Sequence, residues 1–293
     1  MIETVLIVLN YNDSETTKQF IKSIMRYDNI NKIVIVDNCS TDDSFNELKQ
    51  IEDEKIHIIK SNRNGGYAYG NNFGIKYAER QFNPKYLIIS NPDVYFKKAT
   101  LNACLHYINN HDKVGICTGF MKDAHGQLCI STGWKLPRYT DDLVLSTILL
   151  KRILKYNRLL YSKEYMNKRY INVDVITGSF FLIRDTTMKN IGYFDERTFL
   201  YCEERILAFK LIKNGYHNII LKDEFFIHNH SQTIDKNIKS SIKKLKILNK
   251  SKLIYYTYYY KINFFKKAIL KLFFNIGVFE RFIYKTIKQI DKK

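Results

Sequence analysis

Four short polar sets in this 293-residue chain hold the side chains best suited to chemistry on a phosphorylated ligand. They are Asn10-Tyr11-Asn12, Asp37-Asn38, Asn62-Arg63-Asn64-Gly65-Gly66 and Asn91-Pro92-Asp93. Each follows an apolar run. Asp93 is a lone carboxylate placed after Tyr86-Leu87-Ile88-Ile89-Ser90. Pro92 fixes its own φ and biases Asn91 away from helix, so the chain must turn there. A carboxylate just past a buried strand can hold a divalent metal against a diphosphate. An Asx-type turn with Asp93 solvated is the plain alternative. The other sets offer a carboxylate for a ribose or base, amides for a base edge, and glycines for close backbone approach. There is no Gly-x-Gly-x-x-Gly and no P-loop, which disfavours a dinucleotide fold or a phosphate-cradling kinase.

The elements that must position these sets are legible from apolar periodicity. Val5–Leu9 and Tyr86–Ile89 read as buried strands, with Ile33–Val36 and the short run Ile56–Ile59 as the second and third strands between them. Ser14 is placed to cap a helix carrying Phe20, Ile21, Ile24 and Met25, and Ser40 to Asp43 start another carrying Phe45, Leu48 and Ile51. A third helix follows Gly66. Strand and helix alternate, which argues for an α/β architecture with a mainly parallel sheet covered on both faces. Parallel topology brings the four polar sets to one rim, where open α/β sheets bind ligands. Further on, Thr100–Asn110 reads as helix and Val114–Gly119 as strand. Leu143–Leu160 reads as helix, and Val173–Ile183 as strand broken at Thr177-Gly178-Ser179. Glu203–Asn214 reads as helix stopped by Gly215, then His217–Leu221 as strand.

The formal charge of +18 is unevenly placed. Residues 236–293 contain 16 Lys/Arg and 2 acidic residues, while residues 1–235 contain 31 and 27. Residues 1–235 read as the main domain and residues 236–293 as a basic helical tail. In that tail Phe265, Ile269, Leu272, Phe273, Ile276, Phe279, Ile283 and Ile287 recur every three or four residues among lysines. That pattern is a basic amphipathic helix or pair of helices suited to an anionic membrane surface. Tyr255, Tyr256, Tyr258, Tyr259 and Tyr260 precede it, as a cluster fit for a water–lipid interface. A dimerisation or packing helix is the other reading of the tail, so a homodimer stays open. The five cysteines are scattered, with no Cys-x-x-Cys, and point to neither a disulfide framework nor a zinc site but to a reducing cytoplasm. The start of the chain lacks a basic stretch before Val5–Leu9, and no apolar run reaches membrane-spanning length.

In their order the motifs resemble a family 2 glycosyltransferase. Leu9 to Asn12, Val36 to Asp42, Asn62 to Gly66 with Asn71-Asn72, and Asn91-Pro92-Asp93 carry the first part of the resemblance. Thr177 to Arg184, Gly192 to Glu196, Phe199 to Glu204 and His228-Asn229-His230-Ser231 continue it, so that it covers roughly residues 3–232. The rhamnosyltransferase-like enzymes of bacterial surface polysaccharide assembly are the most similar branch. The resemblance implies a GT-A fold and an inverting transferase that uses a dTDP- or UDP-sugar donor and Mn²⁺ or Mg²⁺. The acceptor it implies is a glycan or lipid-linked. Asn10, Asn12, Asp37, Asn38, Asn62, Asn64, Gly65, Gly66 and Asn91 are then donor-binding candidates. Asp93 and His228 are the metal-ligand candidates, with His230 the alternative to His228. Glu203-Glu204 matches the family's Glu-Asp, whose second member is the general base. Glutamate is one methylene longer, so the base stays open between Glu204 and Glu203. Trp134 and Thr177 to Ser179 are candidates to face sugar or acceptor. A catalytically inactive scaffold and a nucleic-acid-binding protein using its tail are the rivals. The second leaves the strand-end sets unexplained, so no nucleic-acid partner is expected. A peripheral position on the inner membrane face follows from the tail.

Overall fold

The computed structural model describes residues 3–229 and 240–290. His230 and the expected boundary at 235/236 lie outside the described residues. β1 (Thr4–Asn10) leads to α1 (Ser14–Ile24), β2 (Lys32–Asp37) to α2 (Ser44–Lys49), and β3 (Ile56–Lys60) to α3 (Gly66–Phe82). Then come β4 (Tyr86–Ser90), β5 (Val94–Phe96), α4 (Lys98–Asn109), β6 (Val114–Lys122) and β7 (Gly133–Trp134). The chain continues through α5 (Tyr139–Ser146), α6 (Ile148–Ile153), β8 (Tyr170–Val173), β9 (Val175–Ile176), β10 (Phe180–Arg184) and α7 (Asp185–Asn190). α8 (Glu203–Lys213), β11 (His217–His228), α9 (Ser241–Tyr258) and α10 (Phe264–Ile290) follow.

One large sheet has the order β3-β2-β1-β4-β10-β6-β11-β5, with β8 also on β11. β1 to β4 pair in parallel, in keeping with the continuous apolar runs of β1, β2 and β4. Alternate residues feed opposite faces. Leu6, Val8, Ile33, Ile35 and Ile88 pack under Phe20, Ile21 and Ile24 of α1. Val5, Ile7, Val34, Val36 and Ile89 pack under Ala68, Ile75 and Ala78 of α3 and Leu207 and Leu211 of α8. The second half of the sheet departs from the parallel reading: β10 runs antiparallel to both β4 and β6. β6 and β11 run parallel to each other. The excursion between Asp123 and Ser179 leaves β6 and enters β10 at the same edge, so β10 has to run back down the sheet.

Three local expectations are corrected. Ser14 is the first helical residue rather than the cap, and its hydroxyl donates to Glu47 at 2.6 Å. Leu143–Leu160 is not one helix: α5 stops at Ser146, and Thr147 is extended and accepts from the Leu150 amide to start α6. A β-branched residue with a side-chain acceptor competes with the helix there. The tyrosine cluster does not lie at an interface as a unit. Tyr255 and Tyr256 are fully buried and form a third apolar cluster with Ile206 of α8 and with Leu270 and Phe274 of α10, against Tyr139 and Leu143 of α5. α9 and α10 are thus packed onto the body of the protein.

A buried ionic knot fixes that packing. Asp142 of α5 is wholly inaccessible. It is ion-paired with Arg205 of α8 and, at 2.8 Å, with Lys252 of α9, and it accepts a hydrogen bond from the Tyr256 hydroxyl at 2.7 Å. Burial alone would raise its carboxyl, but Arg205 and Lys252 outweigh that and hold it at about 2. Removing one member of a buried ion set strands the others without solvation. Asp142→Ala is therefore expected to destabilise the protein by about 3–5 kcal/mol. In wild type the Asp142 contribution should be complete above the ordinary aspartate range and be lost as pH falls toward 2, since its folded-state pKa is the lower one. Denaturant unfolding of both proteins between pH 7 and pH 2 checks this. Equal midpoints at neutral pH would show the knot to be without weight.

Candidate active site

The strand register sets the polar residues side by side. Asn10 is opposite Asp37, Asp37 is opposite Lys60, and Val8 is opposite Ser90. All four loops of the parallel half therefore open on the carboxyl rim. Asn10, Asp37 and Asn38 lie buried just beneath it. The Asp37 carboxylate accepts from the Asn10 amide at 3.2 Å and from the Ser40 backbone N–H at 3.0 Å. The Asn10 side-chain oxygen accepts from the Thr17 hydroxyl at 2.9 Å. Asn12 has a positive φ of 51°, and it clasps the next loop by accepting from Thr41 N–H at 2.8 Å and donating to its hydroxyl. Cys39 also has a positive φ, 61°. These contacts tie the β1–α1 and β2–α2 loops into one platform.

The loop after β3 stands beside it. Asn38 donates to the Asn64 side chain and to the Gly66 carbonyl, both at 3.2 Å. Asn62 and Arg63 are exposed, Asn64 and Gly65 half-buried. Arg63, which is not among the donor-binding candidates named above, lies over the Tyr69 ring at 5.0 Å and places a cation at this rim. Gly66 has φ +86°, and a Cβ there would sit 1.8 Å from the Phe199 carbonyl oxygen. The same carbonyl accepts from the Tyr67 N–H at 3.0 Å. So α3 begins against the loop that leads into α8.

That loop carries the paired glutamates. Tyr201 and Cys202 take positive φ values of 69° and 67° in succession, a costly conformation outside glycine that swings the chain into α8. Glu203 and Glu204 occupy its first turn. Glu203 is buried, and one of its carboxylate oxygens has no hydrogen-bond partner. Burial lifts its carboxyl well above the usual range, and the Glu204 charge adds to that. Glu204 is half-buried and is also raised by burial, partly offset by backbone hydrogen bonds at its own position and at Gly178. Gly178 makes room for it: a Cβ there would lie 3.1 Å from the Glu204 Cγ and 3.3 Å from the Tyr67 hydroxyl. Tyr67 in turn donates to the Gly178 carbonyl at 2.6 Å.

The segment Thr177–Ser179 links this carboxylate to the acidic turn. The Asn91 N–H donates to the Ser179 carbonyl at 2.8 Å, next to Asp93. Asp93 is buried between β4 and β5, and β5 lies antiparallel to the far end of β11. That pairing sets His228 opposite Val94 and brings its Nε2 to 3.2 Å from an Asp93 oxygen. Two donors bonded at right angles to a Mg²⁺-sized ion at about 2.1 Å lie about 3 Å apart, so this pair fits adjacent positions on one cation. Among the described residues there is no cluster of three or more His, Cys, Asp or Glu side chains for a metal. The remaining positions would fall to ligand oxygens and water, the usual arrangement for a cation held with substrate phosphates. Trp134 sits on β7, paired with β9 just before Thr177, half-buried.

Comparison with known proteins places this rim in context. The sequence model for glycosyl transferase family 2 matches residues 5–192. The low-salt glycan biosynthesis hexosyltransferase Agl10 of Haloferax volcanii is 28% identical over 200 residues, covering 68% of this chain and 58% of its own length. This chain therefore spans less than two thirds of that relative. The rhamnosyltransferase WbbL of Escherichia coli K12 is 25% identical over 214 residues, covering 72% of this chain and 77% of its own. Among solved structures, the mannosyltransferase PcManGT from Pyrobaculum calidifontis, in complex with GDP-Man and Mn²⁺, superposes with a TM-score of 0.58. It shares 14% identity over 94% of this chain and 69% of that one, a likeness of fold. The architecture is GT-A.

The crowded start of α3 makes a test of how the rim is built. Gly66→Ala combines a strained backbone with a clash against a carbonyl, and should cost at least about 2 kcal/mol. Thermal unfolding is the measurement, and a melting temperature equal to wild type would show that the two loops are not held together at this point.

Proposed function

Because this chain belongs to glycosyl transferase family 2, we propose that it moves a sugar from a nucleotide-diphospho-sugar to an acceptor hydroxyl with inversion. The observation that carries this reading is the Asp93–His228 pair, two buried donors 3.2 Å apart at the carboxyl rim of the sheet. In the proposal Asp93 and His228 hold Mn²⁺ or Mg²⁺. When bound, the ion would supply electrophilic stabilisation of the leaving diphosphate. Asn12, Asn62, Asn64 and Gly65 line the donor side, on a platform stiffened from below by Asn10, Asp37, Asn38 and Gly66. Asn91 fixes the acidic turn against Ser179.

Glu204 is the proposed general base. It accepts the proton of the acceptor hydroxyl at a carboxylate oxygen, as the acceptor oxygen attacks the anomeric carbon in line and the bond to the diphosphate breaks. Its half-exposed position, as against the buried Glu203, favours it for contact with an acceptor. Its raised pKa makes it a stronger base than an ordinary carboxylate. Glu203 holds the start of α8 from within. The names of the relatives support a hexose or deoxyhexose donor, with rhamnose from a dTDP-sugar the first to try and a UDP-sugar the second. The proposed acceptor is a glycan or a lipid-linked intermediate of surface polysaccharide synthesis. The proposed setting is the cytoplasmic face of an anionic membrane, approached through the C-terminal helices. No described helix is long and apolar enough to cross a membrane.

Donor binding and turnover separate the roles. Asp93→Ala is expected to abolish metal-dependent donor binding with little change in melting temperature. Unchanged binding by calorimetry would return Asp93 to the status of a turn residue. Glu204→Gln should keep donor binding and lose transfer by about a hundredfold or more. If both donor hydrolysis and transfer are absent from wild type across a panel of nucleotide sugars with Mn²⁺ and Mg²⁺, the inactive-scaffold reading replaces this one. A base must be ionised to work, so wild-type kcat/KM should fall as pH drops through a value above the ordinary glutamate range. A plateau maintained down to pH 4.5 would exclude Glu204 from that role.

A further inference from the structure

α10 carries two apolar stripes. At 3.6 residues per turn, Leu270, Phe274 and Gly277 fall on one side, and Phe265, Ile269, Leu272, Ile276, Phe279 and Ile283 fall on the opposite side. The first set is buried against α5, α8 and α9. The second is open to solvent, with Phe265 75% and Phe279 63% exposed. α10 is therefore pinned by one stripe and presents the other.

α6 lies directly alongside. A Cβ on Gly277 would meet the Ser146 carbonyl oxygen, so the α5–α6 junction touches the α10 backbone. Arg281 donates to that carbonyl at 3.1 Å, and the Ile148 N–H donates to the Glu280 carboxylate. Glu280 is about 60° round the helix from the centre of the open stripe, so α6 flanks the stripe. α6 and its following turn repeat the same composition: Ile148, Leu149, Ile153 and Leu154 are exposed, interleaved with Lys151, Arg152 and Lys155. A cleft of about 410 Å³ is lined by Thr147, Ile148, Lys151, Arg152, Lys155 and Tyr156, with Arg281 supplied by α10. Four cations and no carboxylate line it.

We infer that residues 147–156 and α10 form one composite membrane-contact face, in which the cationic cleft seats the phosphate of an anionic lipid. This rests on the proposed membrane setting and assigns to it an internal segment. The open stripe would enter the acyl boundary while the bases meet headgroups. The same charge argues against a second copy of the chain as occupant, because two such faces would repel.

The test uses full-length protein, sedimented with vesicles of neutral phosphatidylcholine or of phosphatidylcholine with phosphatidylglycerol. The first variant is Lys151→Ala/Arg152→Ala/Lys155→Ala and the second is Phe265→Ser/Phe279→Ser; both sets of side chains are exposed. Wild type should bind the anionic vesicles and not the neutral ones. The triple-alanine variant should bind the anionic vesicles at least about tenfold more weakly, with an unchanged melting temperature and unchanged donor hydrolysis. The serine variant should also be weakened. If the triple-alanine variant binds like wild type while the serine variant does not, α10 alone contacts lipid, and the inference fails while the membrane setting stands. Failure of wild type to bind either vesicle overturns both. A wild-type dimer in sedimentation equilibrium that the serine variant dissolves would show that the stripe is a subunit interface and overturn the inference too.

Discussion

The charge on Asp142 is the constraint on which the C-terminal third of the molecule depends. It is buried where no water can solvate it, so it can exist only with Arg205, Lys252 and the Tyr256 hydroxyl around it. Those partners come from α8 and α9, and Asp142 comes from α5. One carboxylate thus fixes the relative placement of three helices that share few other polar contacts. α8 is the helix whose first turn holds Glu203 and Glu204, and Arg205 follows them directly. The knot therefore positions the candidate base from behind while joining the lysine-rich helices to the catalytic body. It also explains why Tyr255 and Tyr256 are interior, since the hydroxyl of the second is needed as a donor to the buried anion.

At the front of α8 the constraint is steric. The Phe199 carbonyl presses on Gly66, and Gly178 leaves space for Glu204. Consecutive positive φ values at Tyr201 and Cys202 are tolerated because the chain on both sides is held, by α3 on one and by the ionic knot on the other. Strained residues recur at Asn12 and Cys39, in the loops after β1 and β2. Backbone strain in this protein is thus found in several of the loops that meet at the carboxyl rim. Under the proposed function, the hydrogen-bonded platform below the donor loops and the constrained approach to the paired glutamates serve the same end, which is to hold reacting groups in place before a ligand arrives.

The segment Thr177–Ser179 joins these parts. It breaks the apolar run between β9 and β10, touches Tyr67 and Glu204 through Gly178, and bonds the acidic turn through Ser179. The antiparallel entry of β10 is what places this break at the rim rather than at the bottom of the sheet. A parallel β10 would carry the same three residues to the other edge. The mixed second half of the sheet is therefore a requirement of the site.

Much of the fold was legible in the sequence. β1, β2 and β4 are apolar runs buried on both faces, a pattern with few alternative solutions, and β3 is a half-buried edge strand beside them; the polar residues that end all four had to meet once the strands paired in parallel. Asp93, the Gly65-Gly66 turn and the glutamates at a helix start were visible for the same reason: they are local signals. His228 could be matched by motif order, but its distance from Asp93 depends on β5 and β11 pairing across about 130 residues of chain, which no local pattern encodes. Nor could composition tell Tyr256 from Tyr258, or one apolar stripe of α10 from the other, because hydrophobicity says that a side chain avoids water and not which surface it finds. The division of +14 in the tail among a buried lysine at 252 and a flank of open ones was likewise decided by tertiary contact. The sequence determined the elements of the parallel half and which polar groups reach the rim. Only the assembled structure decided which charges are paired inside, which stripe is left open, and where β10 enters, since those depend on contacts between residues far apart in the chain.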